Sequence, residues 1–92
     1  YQRSAPTPQQ VIAPDILPQM ISLLGAVVAY GTGQGAQLGD RQVIGKTGTS
    51  QDYRDAWFIG STADFTLGIW MGNDNNQRMS RVTGGSFPAR LW

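Results

Sequence analysis

The stretch Val43-Ile44-Gly45-Lys46-Thr47-Gly48-Thr49-Ser50 decides the fold. Two β-branched residues lead in, and Lys46 is the only lysine among 92 residues. Small hydroxyl residues then alternate with glycine. The pattern predicts an edge strand over 42–49 that offers one ammonium, two hydroxyls and a bare backbone to a ligand. The plain alternative is an ordinary edge strand whose lysine only discourages association.

Downstream, Gln51–Asp55 is a polar turn, and Ala56–Ser61 and Phe65–Met71 are two further strands joined by Thr62-Ala63-Asp64. Such short connections imply an antiparallel three-stranded meander over 42–72. Its second and third strands are apolar at both parities, as in strands covered on both faces. Gly60 and Gly68 are candidate points of close helix approach. Beyond Gly72 lie the polar loop 73–77, the turn Gly84-Gly85-Ser86, and Pro88 at the start of a C-terminal helix.

Upstream, Asp15 is the expected N-cap of an amphipathic helix near 16–30, within a helical segment over 15–31. Pro18 sits in its first turn, and Gly31 follows as a C′ residue. Leu17, Met20, Ile21, Leu24, Val27 and Val28 form its apolar stripe, expected to be core. Residues 1–14 read as an extended lead-in, with Val11-Ile12 as a brief strand. The expected class is α+β. Two sheet faces need cover and only one full helix is available, so further cover is expected from outside these 92 residues.

Composition excludes much. There is no cysteine or histidine, hence no disulfide, no histidine base and no histidine or cysteine metal site. A net charge of +1 gives no footprint for nucleic acid or membrane. No apolar run reaches the roughly 18 residues that span a bilayer. The loop 73–77 lacks the glycine and closing glutamate of a calcium loop. Gly31-Thr32-Gly33-Gln34-Gly35-Ala36 matches G-x-G-x-x-A in letters, but follows a helix instead of a strand, so a flexible loop is expected. A phosphate loop ending at Gly45-Lys46-Thr47 needs glycine at 40, where Asp40 stands. No cofactor is expected.

Lys46-Thr47-Gly48 is also one element of the penicillin-recognising enzymes. The chemistry is apt for a carboxylate-bearing peptide. Lys46 supplies charge, Thr47 and Thr49 supply donors, Gly48 lets the ligand lie close, and the Thr49 N–H can hold a developing oxyanion. A peptide beside the strand can pair with its backbone.

The surroundings repeat the likeness. Met20…Leu24…Val27-Val28…Gly31-Thr32-Gly33…Ala36 and Gly45-Lys46-Thr47-Gly48-Thr49-Ser50 are followed by Asp55-Ala56-Trp57-Phe58-Ile59-Gly60. Gly68-Ile69-Trp70-Met71-Gly72-Asn73-Asp74, Thr83-Gly84-Gly85 and Pro88-Ala89…Leu91-Trp92 complete the series. From about residue 11 onward the chain resembles the transpeptidase domain of bifunctional (class A) penicillin-binding proteins. The resemblance implies part of a five-stranded sheet and a D,D-transpeptidase acting on the D-Ala-D-Ala ends of peptidoglycan stem peptides, stalled by β-lactams. It implies an extracytoplasmic, membrane-anchored parent. By position, Lys46 and the Thr49 N–H would serve catalysis, and Lys46, Thr47, Gly48 and Thr49 would bind substrate. Trp57 and Phe58 read as core packing.

The family's nucleophile lies in Ser-x-x-Lys and its second motif is Ser-x-Asn. Neither occurs here: Val43 stands three before Lys46, and no serine has asparagine two places on. Both missing motifs precede the lysine strand in the family. The 92 residues are therefore expected to be a C-terminal piece, inactive alone, whose partner is the upstream part on the same or a separate chain. Self-association of the isolated piece is also expected. The alternatives are a non-catalytic peptide- or β-lactam-binding module and an edge-strand interaction module.

Overall fold

The computed structural model describes residues 3–92. A helix α1 (Leu17–Ala29) is followed by a short 3-10 turn (Gln34–Ala36) and three strands: β1 (Ile44–Thr49), β2 (Asp55–Ser61) and β3 (Thr66–Gly72). A short helix α2 (Phe87–Leu91) closes the chain. The strands form one antiparallel sheet in the order β1-β2-β3. The expected α+β meander is present, with β1 starting two residues later than expected and β3 one later.

Residues paired directly across an antiparallel ladder share a face. Thr47 pairs with Phe58 and Phe58 with Ile69, so these lie on one face. Lys46 pairs with Ile59, and Gly48 with Trp57, which pairs with Trp70, so these lie on the other. The first face is covered. Phe58 is fully buried there, packed with Val28, Ala36, Val43 and Ala89, and the Trp92 indole stands edge-on to its ring at 5.7 Å and 73°.

Glycine makes this packing possible. A Cβ on Gly45 would lie 2.6 Å from Phe58 Cζ, one on Gly60 2.7 Å from Cε1, and one on Gly33 3.1 Å from Cε2. The ring occupies the space of three absent side chains. Trp92 Nε1 donates to the carbonyls of Gly60 and Leu67, fastening the chain's end across β2 and β3.

The second face is bare. Trp57 is 45% exposed, Ile59 50% and Trp70 44%. The expectation of cover on both sides is corrected for these residues: β3 is an edge strand, and Trp57 is not core. The same shortage of partners shows on α1. Its stripe is buried only at Val28 and partly at Leu17, Leu24 and Val27, while Met20, Ile21 and Leu23 stay exposed. A Cβ built on Gly68 meets no helix, but Ile59 Cγ1 at 3.5 Å and Trp57 Cζ3 at 4.0 Å.

Three local expectations also change. Asp15 does not cap α1; Ile16 holds that position without a side-chain cap. The Ile16 and Leu17 N–H groups bond the Ala13 carbonyl, so a preceding turn satisfies donors that Asp15 was expected to serve. Val11-Ile12 forms no strand and Val11 is exposed. The first two residues of the expected lead-in lie outside the described residues. The glycine-rich segment is not a loose loop. Gly31 and Gly33 donate to the Val27 carbonyl, Gln37 Nε2 donates to Val28 O at 3.0 Å, and Ala36 is buried.

The loop after β3 docks on the β1–β2 connection through Arg54 Nη1 to Asn76 O and Met79 N to Tyr53 O. Asp52 and Tyr53 reverse the chain there at φ 59° and 54°. No helix among the described residues is long and apolar enough to cross a membrane.

Two measurements test this division of faces. Phe58→Ala should cost about 3–5 kcal/mol, the range for removing a buried ring, and Trp57→Ala should cost less because nearly half of Trp57 is already in water; urea unfolding of both variants gives the ranking. Equal losses would mean that Trp57 is covered in solution. The isolated 92-residue chain is also expected to self-associate through its bare face and its uncharged β3 edge, Thr66-Leu67-Gly68-Ile69-Trp70-Met71-Gly72. Light scattering over a concentration series should show rising mass; a constant monomer mass would count against it.

Candidate functional site

The expected site residues lie together along the outer edge of β1. Among the described residues strand β1 pairs only with β2, and its other side has no partner strand. Which backbone groups face that side follows from the ladder. The Ser50 N–H donates to Asp55 O at 2.9 Å, pointing it at β2. Antiparallel ladders alternate. Hence the N–H groups of Gly48 and Lys46 point at β2, and those of Thr49 and Thr47 point outward. A small cluster holds this end of the ladder: the Asp55 N–H donates to Ser50 Oγ at 2.8 Å, and Trp70 Nε1 donates to Asp55 Oδ1 at 3.0 Å.

Side chains reach the same edge from both faces. Lys46 leaves the bare face, and its ammonium bends to the carbonyl of Thr47 at 2.9 Å. That carbonyl points outward with its own residue's N–H, so the charge sits on the open edge. Lys46 is exposed, and two of its three donors have no acceptor among the described residues. Thr47 and Thr49 leave the covered face, and both hydroxyls are engaged by loops. Thr47 Oγ1 is hydrogen-bonded to Thr32 Oγ1, and the Gly84 N–H donates to Thr49 Oγ1 at 3.0 Å.

The glycines explain how those loops come so close. A Cβ on Gly84 would run into the carbonyl of Trp57 and lie 2.9 Å from both N and O of Gly48. A Cβ on Gly85 would run into the Thr32 carbonyl. The turn at 83–86 therefore lies directly against the backbone of β1 and β2. Ser86 Oγ donates to Thr83 O at 2.8 Å and accepts from Thr83 N at 3.0 Å, which keeps the turn closed. Gly48 itself is open on the other side, with only Trp57 Cβ at 3.6 Å from a built Cβ.

The result is a shelf, not a pocket. It presents a cation, two hydroxyls and an outward N–H along about three residues of strand. It can bind a carboxylate, pair with an extended peptide, and donate to an oxyanion at Thr49. A cavity of about 410 Å³ is lined by Ile21, Arg41, Ile44, Ser61 and Asp64, among others, and touches none of Lys46 to Thr49.

Sequence reading placed Lys46, Thr47, Gly48 and Thr49 correctly on one strand and missed Thr32, Gly84 and Gly85. The available signal was glycine spacing. Gly-Thr-Gly at 31–33 and Thr-Gly-Gly at 83–85 look like flexible punctuation, yet Gly39 is the only described glycine with positive φ. Gly31, Gly84 and Gly85 are small because backbone lies against them, and Gly33 because Phe58 and Val27 do.

Comparison with known proteins gives one consistent group. The chain is 44% identical over 70 residues to penicillin-binding protein 1A of Clostridium botulinum, covering 76% of this chain and 8% of that protein. It is 46% identical over 74 residues to penicillin-binding protein 4 of Bacillus subtilis, covering 80% and 12%. It is 40% identical over 85 residues to penicillin-binding protein 1A of Clostridium acetobutylicum, covering 91% and 10%. No family model matches the chain. A matched stretch of 70 residues in a chain of 92 necessarily includes residues 23–70, and with them the whole edge from Lys46 to Thr49. The chain spans about a tenth of the length of these curated relatives. With the lysine strand, its order of motifs and these identities in agreement, the chain belongs to the penicillin-binding protein family.

Proposed function

We propose that the chain supplies one wall of the active site of a serine-type D,D-transpeptidase that cross-links peptidoglycan stem peptides and is acylated by β-lactams. The observation that carries this reading is the open edge of β1, where the outward Thr49 N–H and the Lys46 ammonium on the Thr47 carbonyl lie side by side.

The roles follow from that geometry. A stem peptide ending in D-Ala-D-Ala lies along β1 as an added strand, close to Gly48 because no side chain intervenes. Its terminal carboxylate accepts hydrogen bonds from the Thr47 and Thr49 hydroxyls, with Lys46 supplying long-range charge. A serine from the upstream part of the parent attacks the penultimate D-alanine carbonyl, and the Thr49 N–H donates to the oxygen as it gains charge. The C–N bond breaks, terminal D-alanine leaves with a proton, and an amine from a neighbouring stem peptide takes the acyl group from the serine. Lys46 stands near the transferring proton and keeps that region positive. A β-lactam enters the same way, but its leaving nitrogen stays tethered, so the acyl-enzyme persists.

This chain lacks Ser-x-x-Lys and Ser-x-Asn, so the reading requires a partner segment upstream in the parent, on the same or a separate chain. The bare face with Trp57, Ile59 and Trp70 is where such a segment would gain most by packing. The parent is placed at the extracytoplasmic face of the membrane, where peptidoglycan is assembled.

Fluorescent penicillin tests the reading directly. The intact parent should be labelled covalently, and the isolated 92 residues should not; labelling of the isolated chain would overturn the assignment of the nucleophile. In the parent, Lys46→Ala should slow acylation by about 10²-fold or more, the scale of a lost proton-transfer or charge-stabilising group. An unchanged labelling rate would remove Lys46 from the mechanism.

A further inference from the structure

Thr32 takes no part in the roles above, yet it bonds a residue that does. It sits in the Gly-Thr-Gly segment after α1, fifteen residues before Thr47, and its hydroxyl meets the Thr47 hydroxyl. The Gly84 N–H meets the Thr49 hydroxyl in the same manner. Two separate loops thus end on the two hydroxyls of one strand edge.

The hydrogen-bond inventory decides what this does. A hydroxyl has one proton and two acceptor positions. Gly84 can only donate, so Thr49 must be the acceptor in that pair. The Thr49 proton is left over, with no acceptor among the described residues. In the Thr32–Thr47 pair either oxygen can donate. Once an anion at the edge accepts a hydrogen bond from the Thr47 hydroxyl, only one sense remains: Thr32 donates and Thr47 accepts. Each strand hydroxyl then accepts from a loop and donates to the ligand. The arrangement converts two freely rotating hydroxyls into two aimed donors.

The backbone is built to hold Thr32 there. Gly31 and Gly33 both donate to the Val27 carbonyl at the end of α1. Gly33 lies against the Phe58 ring, and Gly85 lies against the Thr32 carbonyl, with a built Cβ 3.8 Å from Thr47 Cγ2. The Thr32 loop, the turn at 83–86 and β1 therefore meet around the Thr47 side chain.

We propose that Thr32 is a positioning residue for carboxylate recognition: its hydroxyl donates to Thr47 and thereby directs the Thr47 proton at the carboxylate of the stem peptide or β-lactam. This rests on the transpeptidase reading above.

The test uses the intact parent with two probes, a fluorescent penicillin and its methyl ester, which has the same ring but no carboxylate charge. Thr32→Val keeps the shape and removes the hydroxyl. It should slow acylation by the acid roughly three- to tenfold, the scale of one net hydrogen bond, and leave the rate with the ester within about twofold of the starting protein. Thr32→Ser should restore the acid rate to within about twofold. Thr32→Ala provides a second loss variant and should match Thr32→Val. An equal loss with acid and ester would overturn the proposal, because it would mark general disturbance of the strand. So would an unchanged acid rate in Thr32→Val alongside a loss specific to the acid in Thr47→Val; that pair of results would spare the transpeptidase reading. If Thr47→Val shows no preference between the probes, the hydroxyls do not bind the carboxylate, and the underlying role of Thr47 falls together with this one.

Discussion

The Phe58 ring is the constraint on which the rest of the structure depends. It lies where side chains at positions 33, 45 and 60 would otherwise stand, and each of those positions is glycine. One ring therefore joins the loop after α1, the strand β1 and the strand β2. Trp92 packs on its edge and brings α2 onto the same face. Dispersion and desolvation both favour this seat, since the ring is fully out of water and touched on several sides. The turn at 83–86 and the Gly-Thr-Gly segment reach β1 because α2 and α1 are both anchored around Phe58. The site geometry is a consequence of that packing: Thr32 and Gly84 arrive at Thr47 and Thr49 only if their loops are held down.

The two faces of the sheet divide the work. The covered face builds the core and aims the threonine hydroxyls. The bare face carries Lys46 and an apolar surface of Trp57, Ile59 and Trp70. An ammonium on a bare apolar face would be of little use if it pointed into water. Bending onto the Thr47 carbonyl brings it to the strand edge instead, where a carboxylate or a reacting group can meet it. The unpaired edge leaves backbone groups of the kind that recognition by strand addition uses. Exposed edges invite unwanted pairing, and here Lys46 and the docked loops limit access to β1, while β3 has no such protection.

Much of this was readable from the residues. Short apolar runs bounded by brief polar connections identified the second and third strands, the β-branched lead-in and alternating hydroxyls the first, and the helical repeat α1. Misreadings had specific causes. Asp15 is a good cap by residue type, but the turn closed on Ala13 supplied the bonds first. Apolar residues at both parities of β2 and β3 signal burial on both faces, but among the described residues only one face has elements packed on it. Trp57 and Phe58 are adjacent and equally apolar; only the pleat assigns one to the core and the other to a face without cover.

Taken by itself, the sequence determined the chemistry and its order. A single lysine, hydroxyls at alternate positions and glycine between them define a strand edge that offers charge, donors and open backbone. Residue type and spacing carry that information because charge, donors and strand periodicity are local properties. Tertiary structure alone decided which groups face the open edge and which loops reach their hydroxyls. The outward direction of the Thr49 N–H depends on its phase in the ladder with β2. The pairing of Thr32 with Thr47, and of Gly84 with Thr49, joins residues fifteen and thirty-five positions apart. Such contacts arise from how glycine backbones and one aromatic ring pack together, and no local pattern encodes them.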